Sequence, residues 1–252
     1  PMVVILIMFT FILAWAVRNG IEVIARCSFI LVVITAIITL STFVLLLKDM
    51  KLTNFLPVFE LSLKDFIHGS HLITSIPFTQ IVVFLMVIPY LNKIKQAKSS
   101  ILLGLILGGI NLLIIVVRDT ATLGITAAIM TSPSFEAMRQ IDIAKILTRV
   151  ELLVAIALLF VLFLRISIFY YATVLGIAQL LHLRSYVPLV LPIGIIIISL
   201  TVLIFDSGME HAYSTSNFYP TYSLPFQILI PPISLLIAKI RGIPKKQGGE
   251  CR

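Results

Sequence analysis

The chain has 252 residues, 60% hydrophobic and only 12% charged, with a net charge of +8 and a mean hydropathy of +1.13. Soluble domains are near half apolar and a quarter charged, so a water-exposed surface of this size cannot be covered, and the same apolar excess excludes disorder. Long continuous apolar runs, not short alternating ones, exclude a membrane β-barrel and specify an all-α polytopic membrane protein.

A helical crossing needs about 20 apolar residues. Seven stretches meet this, near 1–17, 27–47, 72–91, 99–117, 150–181, 187–205 and 224–240, forming one transmembrane domain over 1–252. The first opens the chain with no cleavable signal. The third is interrupted: residues 71–80 read H-L-I-T-S-I-P-F-T-Q. Pro77 removes one backbone hydrogen bond and disturbs the preceding turn. Thr74, Ser75, Thr79 and Gln80 surround it with groups able to bind freed backbone or a ligand. In lipid, irregular backbone survives only inside protein or beside water, and broken helices are a common binding device of secondary transporters. A plain proline kink, its hydroxyls bonded to their own turn, reads the same pattern without function.

The fourth stretch carries Gly104-x-x-x-Gly108 and Gly109, a spacing that lets helices approach closely. Residues 118–149 then form a long outer segment. Residues 120–130 are small and apolar, Thr131-Ser132-Pro133-Ser134 breaks them, and 135–147 return to a helical period. This predicts an extracellular helical hairpin. The fifth stretch is too long for an upright crossing and should tilt. Within it Arg165 follows thirteen apolar residues, 152–164, placing it about 20 Å along the helix. A charge there is expected to face the bundle interior and pair with another helix, with Ser167 nearby; snorkelling to the cytoplasmic headgroups is the alternative. Pro231-Pro232 kinks the seventh stretch, and a basic tail, 241–252, follows.

Orientation follows from the basic residues of alternate loops. One side holds eleven Lys/Arg, including Arg18, Arg26, Lys93, Arg184 and Lys239, against Glu22 and Glu250. The other holds seven, including Lys48, Lys51, Arg118 and Arg139, against eight acids. The C-terminus is therefore expected in the cytoplasm and the first helix to begin outside. An outside start without a signal is awkward to insert, which leads to the expectation of an odd number of further helices upstream.

No H-E-x-x-H, G-x-S-x-G, P-loop or dinucleotide fingerprint occurs, so no enzyme is predicted and no cofactor is called for. His68 and His71 lack companion ligands and read as solvated, not as a metal site. Cys27 and Cys251 form no framework. A retinal-binding receptor would need a mid-membrane lysine on its last helix, and Lys239 lies at the cytoplasmic end instead.

Several stretches resemble one family. Arg18-Asn19-Gly20-Ile21-Glu22-Val23-Ile24-Ala25-Arg26 is similar to the loop after the fourth helix of spore germination permeases, the B subunits of Ger-type germinant receptors. Arg139-Gln140-Ile141-Asp142-Ile143, Arg149-Val150-Glu151, Ile166-Ser167-Ile168-Phe169-Tyr170-Tyr171-Ala172 and Tyr186-Val187-Pro188-Leu189-Val190-Leu191-Pro192 resemble later family segments. The resemblance implies helices 4–10 of a ten-helix, LeuT-like inverted-repeat fold of the amino acid–polyamine–organocation type, in the cell membrane or spore inner membrane. The interrupted span would be the broken sixth helix, and 118–149 the extracellular gate segment. It further implies that Thr74, Ser75, Pro77, Phe78, Thr79 and Gln80 line a site for a small germinant, an amino acid, with Arg165 and Ser167 close by. Gln80 departs from the family pattern, in which an acid is common, and weakens any cation coupling through that position. A-type and lipoprotein C-type subunits are the implied partners. An ion-coupled amino acid transporter and a truncated remnant are the other readings of the same chain. The first and third helices of the full fold normally complete the site, so this segment by itself is expected to bind poorly.

Overall fold

The computed structural model describes residues 2–56, 60, 62–91, 93–139, 151–205 and 207–242. Among these the regular elements are all helical. In chain order they are α1 (Met2–Arg18), α2 (Ile21–Leu46), a 3-10 turn (Leu52–Phe55), α3 (Leu63–Ile73), a π turn (Thr74–Phe78), 3-10 segments (Thr79–Met86, Ile88–Tyr90) and α4 (Ile94–Leu123). A 3-10 turn (Gly124–Ala128), α5 (Pro133–Arg139), α6 (Glu151–Leu180), α7 (Val187–Ile204), α8 (Gly208–Asn217), α9 (Tyr219–Leu224), a second π turn (Pro225–Leu229) and α10 (Ile230–Ile240) follow.

Among the described residues, six helical stretches are long and apolar enough to cross a bilayer: Ile21–Leu46, Leu63–Met86, Ile94–Ala128, Glu151–Leu180, Val187–Ile204 and Tyr219–Ile240. Where seven spans were expected, the first, α1, is apolar but shorter. The protein is an integral, multi-pass membrane protein. Its surface agrees: Phe29, Leu113 and Ile195 stand exposed on their helices, which suits lipid and not water. The expected hairpin differs at its start, because α4 runs on through Leu123 and carries Arg118 and Asp119 as helical residues. Of its second half, 135–147, residues 135–139 fall in α5, and residues 140–149 lie outside the described residues, as do the tail residues 243–252.

The chain divides into two compact units, Pro1–Glu60 with Met86–Asp206, and Leu61–Leu85 with Ser207–Arg252. In the first, α1 turns into α2 through Gly20, whose φ of +94° is a left-handed value that glycine adopts without a Cβ penalty. Against that turn sits Tyr186, donating to the Val17 carbonyl at 3.4 Å and meeting Tyr171 edge-on. Burial, with Tyr90 adding to it, raises the Tyr186 pKa above its ordinary value, so the hydroxyl keeps its proton. Leu13, Val17, Ile24, Tyr170, Val174 and Val190 form the core at this end. Helix α2 is built inside out. Thr35, Thr39 and Thr42 occupy its buried face while Phe29, Val32 and Ile37 are exposed. Each threonine donates to a carbonyl one turn back, to Leu31, Thr35 and Ile38 respectively, so its polarity is satisfied within the helix and its small volume admits α6 closely. At the opposite end Leu46, Leu123, Ala137, Met138 and Val154 form a second core joining α2, α4, α5 and α6. Gly104 and Gly108 have no described atom within 4 Å of where a Cβ would stand, so the close packing expected there is not made within the described chain.

In the second unit, Ser62 caps α3 by accepting from the Asp65 amide at 3.2 Å, and Ser207 caps α8 by accepting from the Glu210 amide at 3.2 Å. The first π turn packs against α9.

Candidate functional site: two interrupted helices joined by polar side chains

The span that begins at α3 loses α-helical pitch where Pro77 enters. The Thr79 amide donates to the Thr74 carbonyl, five residues back, which widens the turn around the ring. A 3-10 segment of eight residues then tightens the helix. π turns concentrate at functional sites, and long 3-10 runs inside a helix are uncommon. The span that ends in α10 repeats the device: Pro225 opens a π turn, and the Ile230 amide donates to the Pro225 carbonyl.

Polar side chains join the two interruptions. Thr79 donates to the Ser75 carbonyl at 2.9 Å and is also bonded to the Gln227 amide oxygen. The Tyr219 hydroxyl accepts from Gln80 Nε2 and from Gln227 Nε2, each at 2.8 Å. Gln80 is buried, Thr79 and Gln227 half-buried. Ser75 is 1% exposed, and its hydroxyl has no hydrogen-bond partner among the described residues. A buried hydroxyl left unpaired costs free energy, so such a group is a natural point for a ligand to meet. Thr74 and Pro77 lie on the exposed side, Thr74 donating to the Ser70 carbonyl at 2.8 Å, and Phe78 is half-buried. His68 is exposed, whereas His71, expected to be solvated, buries Nε2 without a partner among the described residues.

Of the eight residues singled out from sequence, 74, 75 and 77–80 share this unit. Arg165 and Ser167 belong to the other. Two residues apart on α6, they point about 160° apart. Arg165 is exposed and makes no ion pair with a described residue, whereas Ser167 is fully buried and its hydroxyl is unpaired among the described residues.

Sequence reasoning missed Tyr219 and Gln227. A signal was present: Pro77-Phe78-Thr79-Gln80 is echoed by Pro225-Phe226-Gln227, proline and phenylalanine followed by a polar residue inside an apolar span. It also placed Arg118 and Asp119 in a loop. They are 2% and 6% exposed, with Arg118 NH2 2.7 Å and Nε 2.8 Å from Asp119 Oδ1. Arg118 NH1 donates to Thr42 Oγ1 at 2.7 Å, and Ser134 donates to Asp119 Oδ2. This pair ties α2, α4 and α5 together within the first unit. Beside it, Asn54 Nδ2 and the Lys51 amide cap the Ala121 carbonyl at 2.8 and 2.9 Å, which satisfies the end of α4.

Residues 1–207 match the Spore_permease family, described as spore germination protein. The chain belongs to the spore germination permease family. Over 259 aligned residues it is 26% identical to spore germination protein KB of Bacillus subtilis (strain 168), covering 100% of this chain and 69% of that protein. No solved structure matches. The permease family membership rests on the whole first unit and on the broken span alike, since both fall inside the matched residues.

Proposed function

We propose that this permease is the B subunit of a spore germinant receptor: it recognises a small germinant, an amino acid, and triggers germination with A-type and C-type partner subunits in the spore membrane. Membership of the family and likeness to spore germination protein KB support the setting. The observation that carries recognition is the first π turn. There an apolar span opens its backbone and presents Ser75, Thr79 and Gln80 together, with one buried hydroxyl unpaired among the described residues. In this reading the span Leu63–Met86 is the counterpart of a broken sixth helix in a ten-helix transporter fold, and the C-terminus is cytoplasmic.

The test uses spores carrying the full-length gene. Thr74→Ala and Ser75→Ala should each raise the germinant concentration for half-maximal germination at unchanged receptor abundance. An unchanged dose-response in both variants overturns the site. Labelled amino acid flux through the receptor without its partner subunits would instead favour the transporter reading, which uses the same interrupted helix.

A further inference from the structure

Tyr219 and Gln227 have no role in the site as the broken helix alone defines it, yet they hold two of its polar side chains, Thr79 and Gln80. We propose that both are positioning residues of that site: Gln227 fixes Thr79, Tyr219 fixes Gln80, and together they set which germinant is accepted. The inference rests on the functional reading above.

The chemistry follows from proton counting. Thr79 has a single hydroxyl proton and two acceptors in reach, the Ser75 carbonyl and the Gln227 amide. A threonine cannot donate twice. Turning the Gln227 amide end for end preserves all four contacts and gives each of them one proton: Gln80 donates to Tyr219, Tyr219 to Gln227, Gln227 to Thr79, and Thr79 to the Ser75 carbonyl. Each hydroxyl then accepts once and donates once. The chain runs from Gln80 through Tyr219 on α9 and Gln227 in the second π turn to Thr79 and a backbone carbonyl inside the first π turn, and it fixes the rotamers of Gln80 and Thr79. One strong acceptor stays uncommitted among the described residues, the amide oxygen of Gln80. In the first π turn Ser75 also buries a hydroxyl that is unpaired among the described residues. None of the five groups is a carboxylate, ammonium or guanidinium, so what they offer a ligand is hydrogen-bond geometry and not a counter-charge. A donor-bearing head group, such as the ammonium of an amino acid, fits an amide oxygen held at a fixed angle. If the relay is cut, Gln80 and Thr79 are free to rotate, and selectivity among ligands falls first.

The experiment compares Tyr219→Phe and Gln227→Leu with Thr74→Ala and Ser75→Ala, in spores with the full-length gene and all partner subunits. The readouts are half-maximal germinant concentration across a panel of L-amino acids, and receptor abundance by immunoblot. Tyr219→Phe keeps the ring, which packs edge-on against Tyr222 at 5.3 Å, and removes only the hydroxyl. The expected result is a shift of about two- to tenfold, the size of one lost hydrogen bond, unequal between amino acids so that their ranking changes, at unchanged abundance. A shift with Thr74→Ala or Ser75→Ala but none with Tyr219→Phe and Gln227→Leu overturns this inference and leaves the site standing. A uniform loss that tracks abundance in both Tyr219→Phe and Gln227→Leu overturns it as well, because the relay is then only structural. No shift in any of the four variants overturns the site itself, and the inference with it.

Discussion

Ser167 sits at 0% exposure on α6 with a hydroxyl unpaired among the described residues, in a helix where serine ordinarily bonds back to its own turn. Ser167→Ala removes that unmet polar group, so thermal unfolding in detergent should show stability unchanged or raised by about 1 kcal/mol. A clear loss of stability would mean the hydroxyl has a partner after all. Gly194 on α7 poses the opposite case. A Cβ there would stand 2.6 Å from the Tyr170 hydroxyl, which is held by its bond to the Val190 carbonyl in a side chain only 2% exposed. Gly194→Ala should therefore cost about 1–3 kcal/mol as overpacking. Adding Tyr170→Phe should recover part of that loss; no recovery would place the clash elsewhere. Neither effect is written in the sequence near residues 167 or 194, because each depends on a neighbour brought in from another turn or another helix.

At the scale of elements, the Arg118–Asp119 pair fastens α4 to α2 through Thr42 and to α5 through Ser134. Breaking a buried pair strands the surviving charge. Asp119→Ala should cost about 3–5 kcal/mol, whereas the double change Arg118→Met with Asp119→Leu should be close to neutral. The comparison of single and double variants by thermal unfolding decides whether burial of an unpaired charge is the cause. Equal losses would point to some other role for these residues. In the sequence the dipeptide marks a fall in hydropathy and reads as the start of a loop. Its actual place follows from a threonine 76 residues earlier and a serine 15 residues later, and no local window spans both. The broken span was legible for the opposite reason: Pro77 and its hydroxyl neighbours are contiguous, and a proline in an apolar run disturbs its helix whatever packs beside it.

Across the whole molecule, the charges of the first unit, Arg165 in the middle of α6 apart, sort toward the ends of its helices. Arg18 and Arg26 lie by the α1–α2 turn where Tyr186 also docks, and Lys48, Lys51 and Arg118 gather where α2 and α4 end. The basic excess on the first side carries the orientation prediction. In the full-length protein with every cysteine but Cys251 changed to Ser, a membrane-impermeant thiol reagent should modify Cys251 in inverted vesicles and leave it untouched in right-side-out ones. Labelling from the outer face would reverse the topology.

The sequence by itself determined that this is a helical membrane protein, where most of its spans run, and that one span is broken at Pro77. These properties depend on composition and on contiguous residues, which lipid reads directly through hydropathy and backbone hydrogen bonding. Family resemblance was legible for the same reason, in ordered local stretches. Only the tertiary structure decided which polar groups meet: Thr79 and Gln80 with Gln227 and Tyr219, Arg118 with Asp119, Thr42 and Ser134. It also decided which do not, as with Arg165 and Ser167 on opposite faces of one helix. Hydrogen bonds between distant segments depend on angstrom-scale placement, and hydropathy, blind to which face a residue occupies, carries no record of it.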